Sequence, residues 1–284
     1  MQRKTDFVRG CIKFSRNRPA LAGFVLLVTI LTIAVFAPFI APYPEDAGLV
    51  VNFSGKLTPP GWSHLLGTDE IGRDVLSRII FGVRISLSLA GIVLVIAIPV
   101  GVFLGICAGY FGGGIEQVIM RVTDMFLAIP PLVFALVLSG VLGRSLQHSI
   151  LAIAFVWWRG FCRLAYGEAL SIKQEDYVTV SRSIGASHLH LMLKEILPNM
   201  VSPVIVKATL DAGYAILVGT AISYLGVGAS PPTPELGVMV AHARNFLPTY
   251  WWPSLFPGLT IFVIVLSFNL VGDGLRDFFG VEVT

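Results

Sequence analysis

The chain has 284 residues, of which 55% are hydrophobic and 13% charged, where a soluble domain carries about 25% charged residues. With a mean hydropathy of +0.80, this excludes an ordinary water-soluble protein and points to lipid as the main solvent. A formal charge of +3 is too small and too dispersed for a nucleic-acid partner.

A membrane-crossing helix needs about 20 apolar residues, because every backbone polar group must be satisfied within the segment. Six stretches meet that requirement and predict an all-α polytopic membrane protein with six transmembrane helices. The segment 1–20 carries Arg3, Lys4, Arg9, Lys13, Arg16 and Arg18 against Asp6, and the positive-inside rule puts it in the cytoplasm. Phe7, Val8, Cys11 and Phe14 interleave with Arg9 and Lys13, which allows either a short amphipathic helix on the membrane surface or a disordered basic tail. The first span covers 21–41. It reads as a retained helix and not a signal peptide, because Pro42, Tyr43 and Pro44 follow it without a domain of soluble character.

An external loop is expected over 42–84, containing Pro59, Pro60, Gly61 and the run GTDEIGRDVLSR at 67–78. Within it Asp69, Arg73 and Asp74 either brace the loop or meet a partner. Bracing is favoured, since exposed ion pairs mostly set geometry and add little energy. A core of five spans occupies 85–272. In the second span, 85–110, Ala97, Gly101, Gly105 and Gly109 recur every four residues, giving a face of small side chains that another helix can approach closely. The third, 125–143, contains Pro130 and Pro131; these two and Pro99 in the second span should kink or start helices and free backbone carbonyls. The fourth, 147–166, carries Arg159 and Arg163 near one end, where long cationic side chains can snorkel to the headgroups.

A cytoplasmic loop at 167–199 leads to the fifth span, 204–228, which opens with Lys207 and Asp211 and continues the stripe Asp211, Ala215, Gly219, Ser223. Intramembrane charges usually face a bundle interior or a watery cavity. Lys207, Asp211 and Ser223 are therefore candidates for lining a translocation path, with a local i,i+4 pair as the alternative for the two charges. An external segment, 229–252, places Trp251 and Trp252 where an interfacial aromatic belt is expected. The sixth span, 253–272, ends in a cytoplasmic tail, 273–284, whose Asp273, Arg276 and Asp277 read as a helix-terminal cap. Six spans return both termini to the cytoplasm, the side to which 14 of the 20 Lys and Arg belong when Arg159, Arg163 and Lys207 are counted with it.

Neither HExxH, GxSxG nor GxxxxGK[ST] occurs, so the chain is expected to be non-catalytic and any driving ATP to be bound elsewhere. Cys11, Cys107 and Cys162 form no CxxC pair, and His188 and His190 are two apart while His64, His148 and His242 are scattered. These spacings give no metal site and no cofactor on this chain.

The stretch 175–200 reads EDYVTVSRSIGASHLHLMLKEILPNM: two short helices separated at Gly185 and stopped at Pro198. Leu189, Met192, Leu193 and Ile196 at helical spacing suit docking into a groove on a soluble partner, the alternative being an interfacial pair that touches only lipid. The stretch resembles the EAA motif of ABC-importer permeases, with Gly185, Leu197 and Pro198 at the expected spacing. Thr179, Val180 and Ser181 replace the name-giving residues, and Glu195 stands where the pattern has Ile. GTDEIGRDVLSRIIFGVRISL (67–87), SYLGVGASPPTPELG (223–237) and FNLVGDGLRD (268–277) are similar to the dipeptide/oligopeptide/nickel permease family, C-type subunit. The resemblance spans roughly 21–277 and departs at Phe278, Phe279 and Gly280, where Asp-Pro is usual.

The resemblance implies a type I ABC-importer permease of the bacterial cytoplasmic (inner) membrane, paired with a second homologous permease, two ATPase subunits holding ATP and Mg, and an external solute-binding protein. It also implies coupling to the ATPases through Ser181, Gly185, Ala186, Leu189, Leu197 and Pro198. Peptides are the leading solute within that family, with nickel or another small solute as the alternative; no span has the His cluster that nickel suggests. An ion-coupled secondary transporter is a different class, and would show Gly/Pro-broken segments in matching halves, which are not visible. A membrane scaffold without transport fits poorly with a polar stripe inside the fifth span.

Overall fold

The computed structural model describes residue 10 and residues 13–280; Phe7, Val8, Arg9 and Cys11 of the proposed surface helix lie outside them. The described residues are helical, with no strand and a single isolated bridge between Thr68 and Asp74.

Helix α1 (Arg18–Val35) starts where the Asn17 side chain accepts a hydrogen bond from the Ala20 amide at 3.1 Å, which satisfies one of the amides orphaned at a helix start. A single turn, Ala37–Ile40, follows. Helix α2 (Val75–Phe111) begins inside the expected external loop 42–84. Asp74 caps it by accepting from the Ser77 amide at 2.8 Å, and the Arg78 charge that interrupts the apolar pattern is buried among partners.

Helices α3 (Gly113–Ala128) and α4 (Pro131–Leu142) meet at 90°, at the prolines expected to kink or start helices within 125–143, and α3 begins well before that span. Pro130 and Pro131 supply no amide hydrogens to the preceding turn, so the ladder stops there. Helix α5 covers Leu146–Ile172 and the short helix α6 Asp176–Ser183, followed by the turn His188–His190, a π-helical turn Leu191–Ile196 and a 3₁₀ turn Leu197–Asn199. Helix α7 is Val201–Tyr224, α8 is Leu236–Ala243 and α9 is Trp252–Phe279. Since α9 runs past the expected end of the sixth span, most of the expected 273–284 tail is helix, closed by Gly280. Asp273, Arg276 and Asp277 accordingly lie within the helix, where a hydropathy reading had stopped at the first charge.

Among the described residues four helices, α1, α2, α7 and α9, are long and apolar enough to cross a membrane, and the bent pair α3–α4 brings the number to five. Helix α5 is long enough at 27 residues but carries Arg159, Arg163 and Glu168 and falls short in composition. Large apolar side chains such as Val95 (73% exposed) and Val141 (79%) project outward, as a lipid-facing surface requires.

The closest helix contact explains the small-residue face. A methyl carbon placed on Gly101, Gly105 or Gly109 would stand 2.7 Å from the β-carbon of Phe161, Ala165 or Ala169 respectively. Because both series ascend together, α2 and α5 run parallel. The bent pair therefore returns the chain from the end of α2 to the start of α5, at the opposite end of the bundle. Elsewhere α1 packs on α9, with Gly23 against Leu270 and Gly274 against Ala20.

Candidate translocation path and coupling surface

The break between α3 and α4 is held by a side chain from α5. Pro130 has no amide hydrogen for the Phe126 carbonyl, and Arg159 supplies the donor: Nη1 donates to Phe126 O and, at 3.0 Å, to Ile129 O. At 6% exposed, Arg159 is buried, so it does not snorkel to the headgroups as its position suggested; two orphan carbonyls are stronger partners than a distant interface. Phe126, Phe134, Phe155 and Trp158 surround the break, with ring centroids from 5.2 to 6.4 Å apart.

Two ion pairs continue a polar line across α3, α5 and α7. Arg163 Nη1 lies 3.3 Å from Asp124 Oδ1, both side chains about half exposed. Lys207 Nζ lies 3.1 Å from Asp211 Oδ2 and 5.3 Å from the Phe161 ring centroid. The Lys207 side chain also reaches the open face of Gly160, one turn from Arg163 on α5, so the two pairs are neighbours. Asp124 was missed in the sequence because only the fold brings it opposite Arg163. Ser223, at the other end of α7, is 3% exposed and accepts from the Ala229 amide at 3.3 Å, which closes the turn after the helix.

The other end of the bundle carries the 175–198 segment. Gly185 has φ +92, a backbone region L side chains rarely adopt. With it, the amides of Gly185 and Ala186 reach back to the carbonyls of Arg182 and Ser181, each at 3.1 Å. Ser187 then accepts from the His190 amide and restarts the chain. The two departures from the motif meet each other, since Ser181 Oγ donates to Glu195 Oε1 at 3.3 Å. Tyr110 OH contacts His188 Nδ1 at 2.7 Å and Lys173 Nζ donates to Gly109 O at 2.6 Å, tying the segment to the end of α2.

The apolar face of this segment is divided. Leu189 and Leu193 are exposed, whereas Met192 and Ile196 are buried in the bundle; the π-helical turn changes the phase that regular helical spacing assumed. Ala186 and Leu197 are half-buried against the core, and Pro198 is exposed. Val180 and Ile184, the latter 81% exposed, enlarge the outer apolar patch and were not singled out by spacing because they flank the helix end.

Asp69, Arg73 and Asp74 are all buried, and they pair with one another's surroundings. Asp69 Oδ2 takes Arg73 Nε at 2.7 Å and Arg78 Nε at 3.5 Å, while Oδ1 accepts the amides of Ile71 and Arg73. Asp74 takes His64 Nδ1 at 3.0 Å, and its amide donates to Asp46 at 2.7 Å. Arg78 reaches the carbonyls of Asp46 and Pro232, so the loop before α2 is stitched to the loop before α8. Gly72 (φ +85) is required here, because any β-carbon would collide with the Asn52 carbonyl oxygen. Nearby, Glu235 caps α8 through its Oε2, which accepts the Val238 amide at 3.0 Å, while its Oε1 has no hydrogen-bond partner. Burial pushes this carboxyl up to about 7. Among the described residues, no three His, Cys, Asp or Glu side chains gather as a metal site.

The chain is similar to known transport proteins along most of its length. Residues 101–282 match the family model described as binding-protein-dependent transport system inner membrane component, and 7–60 match the N-terminal TM domain of oligopeptide transport permease C. The chain is 43% identical over 280 residues to the dipeptide transport system permease protein DppC of Haemophilus influenzae, covering 96% of this chain and 94% of that one. It is 45% identical over 270 residues to the DppC of Escherichia coli (93% and 89% covered). The di/tripeptide transport system permease protein DppC of Pseudomonas aeruginosa is 43% identical over 270 residues (93% and 88% covered).

Proposed function

Since the chain belongs to the family of inner-membrane components of binding-protein-dependent transport systems, we propose that it is the permease subunit through which an ATP-driven importer passes short peptides. The observation that carries this reading is a single helix joining two features. Helix α7 starts at the buried Met200, where the 175–198 segment ends, and holds the Lys207–Asp211 pair two turns further on. A push on the segment therefore moves a charge pair inside an apolar bundle.

The chain works with a solute-binding protein and an ATPase, as its family does; two ATPase subunits with their ATP and Mg, and a second homologous permease, complete the assembly we propose. The exposed Val180, Ile184, Leu189 and Leu193 enter a groove on the ATPase, with Gly185 and Ser181 fixing the angle between the flanking helices. ATP-driven closure there shifts α7 against α5, and the bundle alternates between openings. A short peptide is a zwitterion, and the Lys207–Asp211 and Arg163–Asp124 pairs offer both signs of charge along the polar line; the relatives' names support peptides over nickel or other solutes. No covalent step and no cofactor are assigned to this chain. We place the 175–198 end and both termini in the cytoplasm of a bacterium.

The test is mild-detergent affinity purification of the tagged chain from its native membrane, with mass spectrometry of the partners. Recovery of an ATPase and a related permease, lost when 176–198 is replaced by a neutral linker in a chain that still folds, supports the importer. Recovery of the folded chain alone, with uptake abolished by a protonophore at constant ATP, would overturn it in favour of an ion-driven transporter.

A further inference from the structure

At the end of the bundle opposite the 175–198 segment, a cavity of about 380 Å³ opens between the α4–α5 connection, the end of α7 and α8. Three separate stretches of sequence converge on it: Arg144 from the connection, Ser223 and Tyr224 from α7, and His242, Arg244 and Asn245 from α8 and the turn after it. No acidic side chain is among the residues that line it. The Arg244 guanidinium is stacked 5.0 Å over the Tyr224 ring, which fixes the plane of its donors. Among the described residues neither Arg144 nor Arg244 pairs with a carboxylate, whereas His242 faces Glu70 at 3.7 Å.

This volume lies in the range of small-ligand sites, and two unpaired guanidiniums above a polar floor are the donor set that recognises a planar anion in bidentate fashion. We propose that the cavity is an entry subsite for the terminal carboxylate of the incoming peptide, with Arg144 and Arg244 as its donors. The inference rests on the peptide reading above and adds to it a residue-level account of where the solute is first held. From here the polar line of α5 and α7 leads toward the coupling end. The carboxylate exchanges Arg144 and Arg244 for Lys207 and Arg163, cations on the same two helices.

The assembled transporter, reconstituted in proteoliposomes with its binding protein, provides the test. Import of a radiolabelled dipeptide is measured across a range of loaded binding-protein concentrations for the wild type, R144E/R244E and R144K/R244K, each checked for intact assembly by size exclusion. We expect at least a tenfold loss of maximal import in R144E/R244E, a smaller loss in R144K/R244K, whose ammonium groups keep the charge but not the bidentate fork, and an unchanged half-saturating concentration of binding protein. Unchanged maximal import in R144E/R244E would overturn the inference. So would a raised half-saturating concentration with maximal import preserved, because the two arginines would then meet the binding protein and not the solute. A wild-type assembly that imports another solute and no peptide would overturn the peptide reading itself, and the inference with it.

Discussion

Glu235 is a single side chain whose environment sets a pH dependence. Its carboxyl is raised from an ordinary 4.5 to about 7 by burial, so between those values the folded chain holds a proton that the unfolded chain has released. The stabilisation that this carboxyl contributes is therefore full below pH 4.5 and is lost as the pH rises through 7. Glu235→Gln keeps an acceptor for the Val238 amide and removes the charge. We expect its thermal midpoint to exceed the wild-type value at pH 8 and to converge with it at pH 5; a difference independent of pH would refute the buried-carboxylate account. Gly185 is the other residue whose chemistry stands alone. A β-carbon there meets nothing within 4 Å, and the positive φ penalises an ordinary side chain by about 1–2 kcal/mol, least for Asp or Asn. Gly185→Asp should insert and fold while placing a charge beside Ile184 and Leu189, so the expected result is loss of ATPase co-purification and of transport. Normal values of both would remove Gly185 from the coupling role.

Between elements, the decisive contacts are the α2–α5 seam and the Arg159 bridge to the α3–α4 break. The seam was legible as a four-residue repeat of small side chains, since a β-carbon on Gly105 would stand only 2.7 Å from that of Ala165 and the helices could not approach this closely. The bridge was not legible. A cation near the end of an apolar run fits headgroups as well as orphan carbonyls, and nothing local in the sequence distinguishes them. Arg159→Met leaves the Phe126 and Ile129 carbonyls without their donor, at about 1–3 kcal/mol for each buried unsatisfied group. Its midpoint should drop and transport should fall with it, with partial recovery in Arg159→Lys; a midpoint equal to wild type would mean that the break stands without the bridge.

Across the whole molecule, the buried network at Asp69, Arg73, Asp74 and Arg78 joins the segment before α2 to the segment before α8, and the Trp252 indole, which donates to Thr68 O at 3.1 Å, adds the start of α9. Its side chains face inward. Arg73→Ala should therefore lower stability by about 3 kcal/mol, the scale of breaking a buried ion pair, while leaving the binding protein's affinity for the assembled, folded transporter unchanged. Lower affinity at an unchanged midpoint would make Arg73 a docking residue.

The sequence by itself determined the class of molecule. Apolar runs near membrane length, small-residue faces and proline breaks are local signals, since a helix in lipid must satisfy its own backbone and expose apolar side chains. The motif stretches around 67–87 and 175–200 likewise carried the family. What only the tertiary structure decided was the partner of each charge: Arg163 with Asp124, Arg159 with two carbonyls, and Arg78 with Asp69 across a helix start. Where dielectric screening is weak, a charge's role is set by the nearest complementary group in space, and for these residues that group is distant in sequence or carried by the backbone.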